Sequence, residues 1–238
     1  MGAVYSQNMK KSFLPLPIVL FGLGVLLGIT LSTLAAWADY ESASYGFAHR
    51  ANSPFRGLSC PILMTQGESQ TVKIKMTNTS GRAIHLSMRT EISTRLTPDT
   101  QLEFFDLAPG ESMQAQRTIG PDNVDFGQFI FVKAGIFSAY PLPDQENTCG
   151  IFILPMQGNG STILITTTIL SILLIAGGMF MLCKIDGLKK NFNGLLFIAV
   201  ATLLAMVFSF SGLWIQSTLL LVLAILAGFI MLGVTTRQ

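Results

Sequence analysis

The stretch Thr162–Cys183, TILITTTILSILLIAGGMFMLC, contains no Asp, Glu, Lys, Arg or His. A helix needs about 20 apolar residues to cross a hydrocarbon layer about 30 Å thick. The stretch is long enough, and a charge at its centre would cost about 2.5–3.5 kcal/mol on insertion scales. Reading outward, residues 13–37, 195–211 and 213–234 have the same character. The turn between the last two, at Ser211-Gly212, is short enough to make them an antiparallel hairpin. Over the 238 residues, 50% are hydrophobic and 12% charged, whereas a soluble domain carries about 25% charge. This composition excludes a wholly soluble protein, a disordered tail protein and a disulfide-dense miniprotein. A net charge of +2 is too small for a nucleic-acid partner.

Charge sets the expected direction. Segments 1–12, 184–194 and 235–238 hold Lys10, Lys11, Lys184, Lys189, Lys190 and Arg237 against Asp186 alone. Residues 39–160 hold nine basic and twelve acidic side chains. This is the positive-inside pattern. It predicts cytoplasmic ends and a cytoplasmic 184–194 loop, with residues 38–160 outside. Trp37 and Trp214 then fall at the outer interface, where amphipathic rings prefer to sit. The first segment has two readings. Ala36-Trp37-Ala38 before Asp39 matches a signal-peptide cleavage pattern, but the apolar run exceeds the usual core of about 7–15 residues, which favours a retained anchor. Both readings export the domain that follows. Gly24/Gly28, Ala201/Ala205 and Ala224/Gly228 are small residues four apart, the spacing that lets helices approach closely in lipid.

Residues 38–160 read as strands. In Gln70–Asn78, Val72, Ile74 and Met76 alternate with Lys73, Lys75 and Thr77. After the turn Thr79–Arg82, Ala83–Ser93 completes an expected hairpin. Leu102–Leu107 and Glu111–Ile119 form a second expected pair around Ala108-Pro109-Gly110. Phe126–Tyr140 is aromatic-rich, with Gly135 marking a bulge or bend, and Cys149–Leu154 is a short last strand. Strands at this spacing suggest an antiparallel β-sandwich. Asp39–Leu58 reads as an arm lying on that domain.

Leu107-Ala-Pro-Gly-Glu-Ser112 resembles the turn of immunoglobulin-like sandwiches of the CARDB and NEW3 kind, and Gly67–Val72 followed by Met76–Asn78 is similar to their early strands. The resemblance implies an adhesive or spacer module and transfers no catalytic residue. The expected fold class is a membrane protein: an extracytoplasmic all-β immunoglobulin-like sandwich plus an α-helical transmembrane bundle of one N-terminal and three C-terminal helices.

Cys60 and Cys149 flank the sandwich, and a disulfide between them would tie its first strand to its last; two buried free thiols is the alternative. Cys183 stands alone. Asn78-Thr-Ser80 and Asn159-Gly-Ser161 match the N-glycosylation pattern. His49 and His85 have no ligand-type residue at metal spacing, and Asp122–Asp125 lacks the spacing of a calcium loop. No nucleophile, phosphate-binding or zinc-protease motif occurs. We therefore expect no catalytic residues, metal or cofactor.

Phe104, Phe105, Phe126, Phe129, Phe131, Phe137 and Tyr140 concentrate in two strands, and Phe129–Lys133 is apolar on both faces. Such a strand is buried twice or meets a partner, so Phe126, Phe129, Phe131, Phe137 and Tyr140 form the candidate interaction surface. The expected function is a non-enzymatic accessory or scaffold subunit of the plasma (inner) membrane. Its sandwich would contact protein partners on the periplasmic or extracellular side, and its other partner is the lipid bilayer. The alternative is an anchored adhesion or ligand-binding module.

The assignment predicts that a cysteine placed at Lys189 or Lys190 resists a membrane-impermeant maleimide in intact cells, while one at Asp122 reacts. The reverse pattern would invert the topology.

Overall fold

The structure, a computed structural model, describes residues 15–51, 53–137, 139–184 and 192–235. Its contacts define two compact units: Trp37–Ile163, and a helical unit drawn from Met1–Ala36 and Leu164–Gln238.

The described residues of the first unit form nine strands: β1 Ser53–Pro54, β2 Leu58–Ser59, β3 Leu63–Thr65, β4 Gln70–Thr77, β5 Ile84–Ile92, β6 Asp99–Leu107, β7 Ser112–Ile119, β8 Phe129–Phe137 and β9 Gln145–Leu154. One sheet, called here the large sheet, runs β1–β9–β8–β5–β6, with β3 also on the free side of β9. The small sheet runs β2–β4–β7. β1 and β3 lie parallel to β9, and the other pairings are antiparallel. The sheets pack face to face. Ile74 and Met76 of β4 and Met113 and Ala115 of β7 share a core with Ile84, Leu86 and Met88 of β5 and Ala134 and Ile136 of β8. Every second residue of β4 is buried, as a period of two requires for a strand wet on one face.

The strands stand where the alternation put them, but two expected hairpins do not exist. β4 pairs with β7, not with β5, and β6 pairs with β5, not with β7. Alternation assigns a residue to a face and says nothing about the neighbouring strand. The apolar faces of β4 and β5 do meet, but across the interior. Gly135 makes no bulge: β8 keeps continuous register with β5 and β9 through it. A Cβ there would come within 2.7 Å of the Phe137 ring.

Two of the crossovers between the sheets, β4 to β5 and β6 to β7, are joined by one side chain. Asn78 is fully buried. Its Nδ2 donates to the carbonyls of Arg82 (2.8 Å), Leu107 (3.0 Å) and Ala108 (3.1 Å). Its Oδ1 accepts from the Ser80 N–H and hydroxyl, and its backbone bonds Glu111 and Gly110. Asn78-Thr-Ser80 is thus a turn built to satisfy buried carbonyls, and a glycan on Nδ2 is incompatible with this packing. Asn159 caps the following helix, its Oδ1 accepting the Thr162 N–H (2.9 Å).

Cys60 and Cys149 form a disulfide, with Cα atoms 6.5 Å apart and a sequence separation of 89. Closing so long a loop in the unfolded chain is worth about 4–5 kcal/mol in the chain-entropy description.

Among the described residues, four helices are long and apolar enough to cross a membrane. They are α1 Pro15–Ser44, α2 Gly160–Cys183, α3 Phe192–Phe210 and α4 Trp214–Thr235. α1 continues past Trp37, the expected end of the first span. In the helical unit, a Cβ on Gly24 would meet the Ile175 backbone nitrogen at 2.7 Å, and one on Gly28 would meet Thr202 at 2.7 Å. These glycines therefore sit where α1 touches α2 and α3. Ala201, Ala205 and Ala224 are buried, whereas nothing lies within 4 Å of a Cβ on Gly228. Ser171 donates to the Gly24 carbonyl (2.7 Å), Ser209 to that of Ser32 (3.0 Å), and Ser217 to that of Ala205 (3.0 Å). Polar groups capable of bonding their own helix are used here between helices. α3 ends in a Schellman turn: Leu213 N–H bonds Phe208 O and Gly212 N–H bonds Ser209 O, with Gly212 at φ +72°. Lys10, Lys11, Asp186, Lys189, Lys190 and Arg237 lie outside the described residues.

Replacing Asn78 by Ala strands buried carbonyls and should destabilise the β unit by about 2–3 kcal/mol. Urea unfolding of the chain in detergent measures this, and an unchanged midpoint would contradict the assigned role.

Candidate interaction surface

The inward residues of β8 are Ile130, Val132, Ala134 and Ile136, so Phe129, Phe131 and Lys133 point away from the core. All three are nonetheless buried. The chain's own segment following Ala36 covers them. Trp37 meets Phe129 edge-on at 5.2 Å between ring centroids and Phe152 at 6.1 Å. Tyr45 lies 4.5 Å from Phe131 and 4.7 Å from Phe47. Gly150 makes the approach possible, because a Cβ there would fall 1.8 Å from the Ala38 carbonyl oxygen. Its N–H donates to Asp39 (3.1 Å). The Tyr45 hydroxyl donates to Asp125 (2.7 Å). Burial, reinforced by the Asp125 carboxylate, pushes Tyr45 up to about 12.

A buried ion pair lies under the same cover. Lys133 Nζ, in a side chain 3% exposed, is 2.9 Å from Glu146 and also donates to the Ala48 carbonyl. Glu146 takes two further contacts, from the Arg50 N–H and from His49 Nδ1, each at 3.0 Å. Burial alone would raise the Glu146 carboxyl. The hydrogen bonds from Lys133, Arg50 and His49, with the Lys133 charge, outweigh it and hold the group below the usual range. The arm is thus fixed by rings at one end and by charge at the other.

The β5–β6 half of this face is open. Strand β6 ends the large sheet. Its outward residues include Leu102, 52% exposed, and Phe104, 75% exposed. The β5–β6 loop adds Leu96, 94% exposed. On the inward side Phe105 packs against the core, and Glu103 pairs with Arg117 of β7 (2.7 Å). Near the β8–β9 connection, Tyr140 is exposed, with the Arg82 guanidinium 4.6 Å above its ring.

The five aromatic residues expected as one surface are therefore divided. Phe129 and Phe131 are floor beneath the arm, and Phe137 is half-buried. Phe126 and Tyr140 are exposed. Phe126 sits at φ +48° in the tight turn from Asp125 to Phe129, a conformation bulky residues rarely adopt. It borders two clefts of about 440 Å³ and 350 Å³. Leu96 and Leu102 were not legible as surface residues. Phe104-Phe105 gave one signal, since adjacent aromatics on a strand must face opposite ways. Neither histidine is isolated: His49 contacts Glu146 and His85 contacts Asp106, both acids distant in sequence. Among the described residues no three His, Cys, Asp or Glu side chains are placed to hold a metal.

No family model matches the chain, and no curated protein matches it. Among solved structures it is similar to part of a red sea bream transglutaminase, at TM-score 0.35 and 13% identity over 49% of this chain and 18% of that one. It is also similar to part of a β-glucosidase from Erythrobacter marinus, at TM-score 0.29 and 20% identity over 39% and 14%. A β-glucuronidase from Bacteroides uniformis follows at TM-score 0.31 and 10% identity over 40% and 12%. The chain spans less than a fifth of each of these proteins. Likenesses at these scores carry no argument about function; what they share with this chain is a distant β-rich architecture.

Glu146→Gln leaves Lys133 buried without its counter-charge, a loss of about 3 kcal/mol at pH 7. Because the folded carboxyl is held low, its contribution is present above the unfolded value and disappears as pH falls through the folded one. The gap between wild type and variant should therefore close in acid. Guanidinium unfolding read by Trp37 fluorescence in a Trp214→Phe background tests this; a gap independent of pH would refute it.

Proposed function

We propose that the protein is a non-enzymatic accessory or scaffold subunit of the plasma (inner) membrane. Its β unit stands on the periplasmic or extracellular side and holds a protein partner. The observation that carries this reading is the open half of the large sheet, where Leu102 and Phe104 are exposed side by side on an outermost strand. Exposed apolar groups on such a strand mark a contact surface or an aggregation hazard.

Sidedness is supported by the Cys60–Cys149 disulfide, which belongs to an oxidising compartment, and by the excess of basic residues in the flanking segments. Retention of the first span is supported by Ala38, which is fully buried within helix α1. Cleavage after it would detach the turn that precedes Asp39. The immunoglobulin-like reading is supported by the strand orders and by the parallel β3–β9 edge beside an antiparallel β2–β4 pair. The meeting of Leu107–Ser112 with Asn78 adds to it, since these segments carry the resemblance to CARDB and NEW3 modules.

Extraction from the native source in mild detergent should recover the chain with a stoichiometric protein partner, identified by mass spectrometry. Phe104→Lys should reduce recovery of that partner several-fold. A monodisperse lone chain, with and without prior crosslinking, would sink the proposal.

A further inference from the structure

We infer that strand β6 is completed by an extended, basic strand of another polypeptide, which adds to the edge of the large sheet; this rests on the accessory-subunit reading above. β6 pairs with β5 over nine consecutive positions, Asp99 to Leu107, without a bulge. Its other side has no strand partner among the described residues. A row of backbone N–H and C=O groups is therefore presented at the sheet margin, and an extended chain is the ligand that satisfies such a row. Natural edges are commonly blunted by lysine, proline, bulges or shortness. β6 has none of these; its one inward charge, Glu103, is tied to Arg117.

The side chains select the kind of strand. Leu102 and Phe104 are two residues apart on the outward face and offer apolar contact to alternate positions of an incoming chain. The charged residues of β6 are Asp99, Glu103 and Asp106, with no Lys or Arg among them. A second copy of β6 is a poor fit. A symmetric antiparallel pair centred on Glu103 sets that carboxylate against itself, and any other register brings a second set of acidic side chains, and no basic one, to the seam. Like charges directly opposed are destabilising. Lipid also fits poorly, because hydrocarbon cannot bond the open backbone groups. A strand alternating apolar with Lys or Arg meets both the ladder and the charge.

The test uses the full chain in phosphatidylcholine nanodiscs and a labelled, acetylated peptide of alternating Val and Lys, read by fluorescence anisotropy. The Val–Lys peptide should bind, and its Val–Glu twin should bind at least about tenfold more weakly. Added salt should weaken the first. Leu102→Lys with Phe104→Lys should reduce binding about tenfold or more, while Gln114→Lys with Gln116→Lys on β7 should leave the site intact. A second measurement covers misfolding of the first variant. In a Cys183→Ser background and with added oxidised glutathione as the oxidant, Phe104→Cys should form a disulfide with a cysteine at the peptide centre, and preferential disulfide formation between two copies of the chain through the introduced cysteine would overturn the inference. No binding of the Val–Lys peptide, or equal binding of both peptides, would also overturn it. A copurifying native partner without peptide binding sinks this inference alone; peptide binding without a native partner sinks only the accessory-subunit reading.

Discussion

The ammonium group of Lys133 sits in a side chain almost wholly withdrawn from water, and much of the β unit is arranged around that fact. A buried cation costs several kcal/mol unless it is paired and hydrogen-bonded. Its partners come from two directions: Glu146 from the adjacent strand and the Ala48 carbonyl from the arm. The arm is held so that Ala48 meets Lys133 by Trp37 and Tyr45, which are seated on Phe129 and Phe131. Each element needs the other. Without the arm, the aromatic floor and the ion pair would both meet water; without the floor, the arm would have little apolar surface to bury.

The helical unit solves a different problem by related means. Helices long and apolar enough to cross a membrane would find no hydrophobic drive to associate in lipid. Glycines that admit close backbone approach, and serines that bond the carbonyls of a neighbouring helix, supply the contact instead. Gly24 belongs to both mechanisms, since it touches Ile175 and its carbonyl accepts from Ser171. Gly228 has the right spacing and no such contact, which shows how little spacing says by itself.

The apolar helices and the strand faces were legible in the sequence because hydrophobic composition and periodicity encode them directly. The four apolar runs appear as four helices, and Val72, Ile74 and Met76 point inward as the alternation requires. Strand partners were not legible. β4 and β5 are consecutive, alternate alike and lie in opposite sheets, because their loop crosses the sandwich instead of reversing within one sheet. The disulfide was legible from two cysteines flanking a domain. The Lys133–Glu146 pair was not: nothing local distinguishes a lysine beneath a distant arm from one in water. The double-sided apolar character of Phe129–Lys133 left two readings open, a cover from within the chain or one from outside. For Phe129 and Phe131 the cover is internal, and the exposed apolar residues lie instead on β6, where Phe104 and Phe105 hinted at it.

The disulfide bears on stoichiometry as well as on stability. At the far margin of the large sheet, β9 is flanked by β1 and β3, short strands of two and three residues, and Cys149 within β9 is bonded to the chain just ahead of β3. One margin is thereby covered by strands of the same chain, while β6 at the other has no strand partner among the described residues. Runaway end-to-end growth through a sheet requires both margins to be available on every molecule. A sheet with a single usable margin terminates any ladder it joins, so the architecture favours finite, one-to-one pairing over a filament.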